Sequence, residues 1–441
     1  MPAPFTDSSV RDAGLSSRGA LATASRPSMA AINTRVAFVV ELARRLHQYG
    51  TNAPRLEIAI SGAATRLELS AEVWSSPTAI IISFSDLAQG GDGLAQVTQV
   101  VRLAPGDVNL ARLCEADEIA DRVIAGELEL LEGFRLLRQL ERPDSRLAQA
   151  GVIASYGLAS ASVVALLLHS SWADLLVSSV IGLIIGSITV LSASRPRLAV
   201  ASEAISAMVA TVVATAVSAF IVPLALKSVV LASLIVLMPG MALTTAVREI
   251  SSQHLVSGMA RMGGAIATLL KLTFGTVAAT QLCEALGIVA RDYTLPPLPG
   301  WMDVPALLLG AFAFAISFRA ARRDWLVVMG AVVVGYLATR WGGAISGSIP
   351  GAPFGVFLGG FLLSGLGNLY ARLAHRPGAV IREPGIILLV PGSVGFRSVS
   401  YLMERDASLG VDSGILALTL LISLVAGLLL GDLLVAPRRS L

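Results

Sequence analysis

Two rhythms of apolar and polar residues divide the chain. From Ile32 the positions Val36, Phe38, Val39, Val40, Leu42, Ala43, Leu46 and Tyr49 recur at helical spacing, with Gly50 as a stop, and predict an amphipathic helix. Pro54 opens a second predicted helix through Ile60, ended by Ser61-Gly62. RLELSAEVW (66–74) alternates and predicts a strand, and TAIIISFS (78–85) predicts a more buried one. GGDG (90–93) is a turn signal, after which LAQVTQVVRL (94–103) alternates again. NLARLCEADEIADRVIAGE and ELELLEGFRLLRQLER predict two helices joined near Gly126. Residues 32–150 therefore predict a small α+β domain, a three-stranded meander covered by helices.

From Gly151 the pattern becomes long apolar runs: 152–169, 174–193, 202–222, 228–247, 257–283, 303–318, 324–340, 345–369, 385–403 and 413–435. A helix needs about 20 residues to cross about 30 Å of hydrocarbon, so each run is a candidate span. With the front domain in the cytoplasm, the inner loops and tail hold Arg195, Arg197, Arg248, Arg319, Arg322, Arg323, Arg372, Arg376, Arg382, Arg438 and Arg439. The outer loops hold only Lys227, Arg291, Arg340 and Arg405. That bias predicts both termini inside. Trp172, Trp301 and Trp341 fall at outer ends, as interface aromatics do.

An internal echo orders these spans. DLLVSSVIGLIIGSITV from Asp174 resembles DWLVVMGAVVVGYLATR from Asp324, and Pro239-Gly240 is echoed by Pro391-Gly392. Two units of five spans, 151–290 and 300–435, lie in opposite orientations because five is odd. The predicted fold is a polytopic α-helical membrane protein, ten transmembrane helices as a 5+5 inverted repeat behind a small α+β cytoplasmic domain.

Composition agrees. The chain is 54% hydrophobic and 14% charged, with mean hydropathy +0.74, which excludes an ordinary soluble domain. Residues 1–150 hold 15 Arg against 18 Asp and Glu; the remaining 18 Lys and Arg against 12 Asp and Glu lie beyond. The net +3 reflects basic loops between spans, and no nucleic-acid surface is expected. Two cysteines, Cys114 and Cys283, form no metal or disulfide spacing, so neither metal nor cofactor is expected. Residues 1–31, rich in Ala, Ser and Pro, lack a signal-peptide core and are expected to be a disordered cytoplasmic lead.

The candidate chemistry sits where apolar runs are interrupted. Pro239-Gly240 and Pro391-Gly392 break two spans, freeing backbone groups that need partners in lipid. Freed carbonyls attract a cation and a half-helix N-terminus attracts an anion; a free amino acid carries both. Thr244, Thr245, Ser393 and Ser398 beside them suit a substrate hydroxyl, or glue helices together. Arg397 can hold a carboxylate with its fork of donors, or snorkel to the interface. Lys271, deep in a span, can bind substrate or release a proton, or pair with a carboxylate. Glu249, Glu284 and Glu203 at span ends are further coupling candidates, Glu249 also reading as an edge charge pair with Arg248. In the front domain Arg55 and Glu57 read as a motif or an interdomain salt bridge, and His47 as a surface histidine. No catalytic arrangement appears: HExxH, a span-borne GxGD and GxSG are all missing, so a membrane protease is excluded and no enzyme is expected.

ELARRLHQYGTNAPRLE, SPTAIIISFS, VVRL and IADRVIAGE resemble the cytoplasmic domain of the threonine/serine exporter family. WADLLVSSVIGLIIG, VLMPGMALTTAVREISSQHLVSGMARM and GIILLVPGSVGFRS resemble its two five-span membrane units, so the likeness runs over about residues 32–435. The resemblance implies efflux of threonine and serine across a bacterial cytoplasmic membrane, driven by protons, by a multi-pass protein with both termini cytoplasmic. A homo-oligomer stays open. Two positions depart from the family's pattern: Pro54 and Leu56 flank Arg55 and Glu57, and Arg248-Glu249 stands where Arg-Asp is usual. The alternative is a passive amino-acid channel, or a scaffold whose front domain binds partners.

Overall fold

The computed structural model describes residues 29–87, 97–291, 295–346 and 352–436. The expected disordered lead, as far as residue 28, the GGDG turn and the tail arginines Arg438 and Arg439 lie outside the described residues.

Helix α1 (Met29–Gln48) starts ahead of the expected boundary at 32 and buries Phe38, Val39, Leu42 and Ala43 completely. It ends at Gly50, whose φ of +88° suits glycine. Helix α2 (Ala53–Arg66) is capped by Asn52, whose side-chain oxygen accepts from Arg55 N–H at 3.3 Å. It runs straight through Ser61-Gly62, because Ala63 and Ala64 beyond them are buried in the core, and that packing overrides a weak local break. The meander follows as expected: β1 (Leu69–Ser76), β2 (Ala79–Asp86) and β3 (Val97–Arg102), antiparallel, with Val73 opposite Ile82 and Ile80 opposite Val101. Ile80, Ile82 and Phe84 share the buried face. Helices α3 (Leu110–Ile124) and α4 (Leu130–Gln139) close the layer, joined through Gly126 at φ +77°.

His47 is a correction. It is buried, not a surface residue, with Nε2 3.1 Å from the Ser76 carbonyl oxygen. It follows Leu46 on the face of α1 that meets the sheet, and burial pushes its pKa below the ordinary histidine value.

Among the described residues eight helices are long and apolar enough to cross a membrane, or nine if one bent pair is a single span. Helix α5 (Arg146–Val163) starts five residues before the expected unit boundary and ends in a π-helical turn, Val164–Leu168. Then come α6 (Trp172–Ala193), closed by a Ser171/Asp174 capping box, and α7 (Pro196–Phe220), which starts earlier than expected because Pro196 fits its first turn. Helices α8 (Leu226–Ser233) and α9 (Gly240–Ser251) form the bent pair, at 52°. Helix α10 (Leu255–Ala285) precedes α11 (Asp303–Ser317), α12 (Trp325–Ile345) and α13 (Pro353–Ala374). The expected runs 324–340 and 345–369 thus divide later, before Pro353. Helices α14 (Ala379–Gly385) and α15 (Gly392–Met403) flank the second break, and α16 (Ala407–Leu434) ends the bundle.

The packing repeats. In α5–α10, α6 contacts α7 and α8, α7 contacts α10, and α9 contacts α10. In α11–α16, α12 contacts α13 and α14, α13 contacts α16, and α15 contacts α16. Across the two sets α5 meets α11, α10 meets α15, and α16 meets α9. The α+β layer seats on one end: Leu110 and Ala111 N–H donate to the Phe318 and Arg319 carbonyls at the end of α11. Trp172, Trp301 and Trp341 all lie at the opposite end, exposed.

Candidate functional site

The two breaks touch. A Cβ built on Gly240 would lie 3.2 Å from Gly392 Cα, and one on Gly392 would lie 3.0 Å from Gly240 Cα. Only glycine allows backbones this close. The breaks are also copies of each other in conformation. Pro239 has φ −79° and ψ 36°; Pro391 has φ −81° and ψ 34°. Leu243 and Gly395 N–H donate to the Pro239 and Pro391 carbonyls, each at 2.9 Å. Helices α9 and α15 both begin here, with no side-chain cap, so two positive helix ends converge on one point.

That point borders a cavity of about 520 Å³. Pro239, Gly240, Gly392 and Ser393 line one wall, and Thr189, Ser202 and Thr268 add hydroxyls. Asp107 and Arg319 lie at its α+β end. Glu203 of α7 is the carboxylate among its membrane-helix residues, and Lys271 Nζ lies 3.6 Å from it. Lys271 is therefore paired with a carboxylate, and Glu203, which the sequence offered as a span-end coupling candidate, is the partner on the cavity wall.

Other predicted residues are placed elsewhere. Thr244 is buried with its hydroxyl bonded to the Gly240 carbonyl at 3.1 Å; neither it nor Thr245 lines the cavity. Ser398 donates to the Gly410 carbonyl at 2.7 Å, joining α15 to α16 as helix glue. Arg397 is exposed on α15, one turn beyond Ser393. Glu284 is exposed at the α10 end opposite the α+β layer. Arg248 and Glu249 do not pair with each other, because successive helix residues point apart.

They serve instead two carboxylate hubs at the seam with the α+β layer. Glu249, fully buried, accepts from Ala53 N–H (3.1 Å), Ser257 Oγ (2.9 Å) and Arg261 Nε and Nη2 (3.1 Å each). Asp432 accepts from Ser364 Oγ and Asn368 Nδ2, each at 2.7 Å, and from Arg248. Arg382 and Arg55 stand 3.6 and 3.8 Å from it. Glu57 meets His254 Nε2 at 3.0 Å and accepts from Ser75 N–H at 2.9 Å. The Arg55/Glu57 motif is thus a clamp between the α+β layer and the bundle. From the sequence Arg382 counts only as an inner-loop charge and Asp432 not as a site residue, although an aspartate near the C-terminal end of a 28-residue apolar helix is the available signal.

A threonine/serine exporter family model matches residues 37–283, and a second, "Threonine/Serine exporter, ThrE", matches residues 303–434. Among curated proteins the chain is similar to "Pheromone-regulated membrane protein 10" of Debaryomyces hansenii, at 24% identity over 82% of this chain and 36% of the relative. The proteins of that name from Eremothecium gossypii (25%; 86% and 50%) and Saccharomyces cerevisiae (26%; 84% and 48%) are similar too. The chain spans half or less of the length of these curated relatives, which are fungal. No solved structure matches.

Proposed function

The chain belongs to the threonine/serine exporter family, and from that premise we propose that it is a proton-coupled secondary transporter exporting small hydroxylated amino acids, threonine and serine, from the cytoplasm. In this reading the two helix sets are inverted five-span units, ten spans in all. Residues 32–150 act as the cytoplasmic domain and both termini face the cytoplasm of a cell membrane, as the loop arginines favour.

The observation that carries the reading is the meeting of Gly240 and Gly392 on the wall of a cavity that also presents Glu203. Two uncapped helix N-termini offer N–H groups and positive potential to a substrate carboxylate. Glu203 offers a negative charge to the substrate ammonium, and Ser393 or Thr268 a partner for the hydroxyl. A buried charge in a membrane helix is costly, so the Glu203–Lys271 pair is the natural site of coupling. When Glu203 takes up a proton, its attraction for the ammonium and for Lys271 disappears together, and the substrate is released. Arg397, one turn further along α15, meets the carboxylate on the way out.

The test is flux. Vesicles holding the purified protein and loaded with labelled threonine release it when a proton gradient is imposed, and hold it otherwise. Release that ignores the gradient would indicate a passive channel. No release of threonine or serine would remove the assignment.

A further inference from the structure

A second cavity, of about 100 Å³, lies between the α+β layer and the α13–α14 corner, apart from the Pro-Gly cavity. That is several times what a single water needs, so the space admits a small solute. Its walls are largely apolar and carry charged groups of both signs. Glu383 of α14 lines it with no hydrogen bond or ion pair among the described residues. The adjacent Arg382 hydrogen-bonds Asn368 Oδ1 at 2.9 Å, and its charge, with those of Arg248 and Arg261, acts on Glu383 without a direct contact. Opposite, the first turn of α2 supplies Arg55, whose guanidinium, among the described residues, makes the 3.8 Å approach to Asp432. Thr51 and Asn52 line the wall beside it, the Thr51 hydroxyl without a hydrogen bond among the described residues. Arg376, held by Asp324, completes the cationic side.

We propose that this cavity is a second binding site for a zwitterionic α-amino acid, its ammonium against Glu383 and its carboxylate against Arg55. An unpaired carboxylate at the seam of two folded parts is an expensive arrangement unless a cation completes it. A guanidinium suits a carboxylate through its fork of donors. Opposite charges across so small a space select a solute carrying both. The ligand joins the α+β layer to α14, six residues before the Pro391-Gly392 break, so its occupancy links cytoplasmic amino acid to the segment that carries the break.

The ligand class rests on the transport reading; the site does not. The experiment is calorimetric titration of the full chain in detergent with threonine, with N-acetylthreonine and with threonine amide. Native protein binds about two threonines, and Glu383→Gln binds one; acetylation, which removes the ammonium, and amidation, which removes the carboxylate, each abolish the second binding event. Glu383→Asp restores it in part, and unchanged melting temperatures show that the variants fold. One site in the native protein, or two sites unaltered in Glu383→Gln, overturns the proposal. Vesicle flux is scored separately. Flux with one binding site keeps transport and removes this site, whereas Glu383-dependent binding without flux does the reverse.

Discussion

Gly240 and Gly392 leave no room for a side chain. The Cβ of Gly392→Ala would press on Gly240 backbone at 3.0 Å, and backbone cannot rotate away. Overpacking of this kind costs about 1–3 kcal/mol, so flux through Gly392→Ala should fall by about tenfold while expression holds; normal flux would show that the breaks part without passing cargo. Glu203→Gln, which keeps the shape and loses the charge, should flatten the pH dependence of flux, and an unchanged profile would take the proton away from Glu203. At His47 the sign is set by burial. Its pKa is lowered in the fold, so near neutral pH the ring is uncharged in both states and nothing is lost. As pH falls below the unfolded value of about 6.5, the unfolded chain gains a proton that the fold resists, and stability drops. His47→Gln should remove that part of the acid loss in a denaturation series run from pH 7.5 to about 5.

At the scale of elements, the breaks were the most legible feature. Proline and glycine inside an apolar run announce themselves, and their echo locates both halves of the site. The meander was legible as well, since the stretches of β1 and β3 alternate apolar and polar residues around the more apolar run of β2. Partners were not. Lys271 could be read as a buried charge, but its proximity to Glu203 needs α7 and α10 side by side, a contact that no local pattern states. The α2 break at Gly62 failed because a tertiary surface supported the helix beyond it. The seam hubs were hidden for the same reason: Asp432 gathers Arg55, Arg248 and Arg382 from three distant stretches. Removing one member of a buried charge set leaves the others uncompensated, at about 3–5 kcal/mol. Asp432→Asn should therefore lower the melting temperature of the purified protein clearly, and an unchanged melt would mean that the arginines find other partners.

For the whole molecule, the α+β layer and the exposed tryptophans mark opposite ends. A cysteine placed at Trp172 should react with an impermeant reagent only from the face away from that layer; reaction from the same face would undo the proposed orientation. The same two ends bear on energetics. If the halves are upside-down copies, as their matched breaks suggest, the state open to one side is built from the contacts of the state open to the other. Duplication alone then leaves the two states level, and the clamp of Ala53, Arg55 and Glu57 on one face is the weight that tilts the balance.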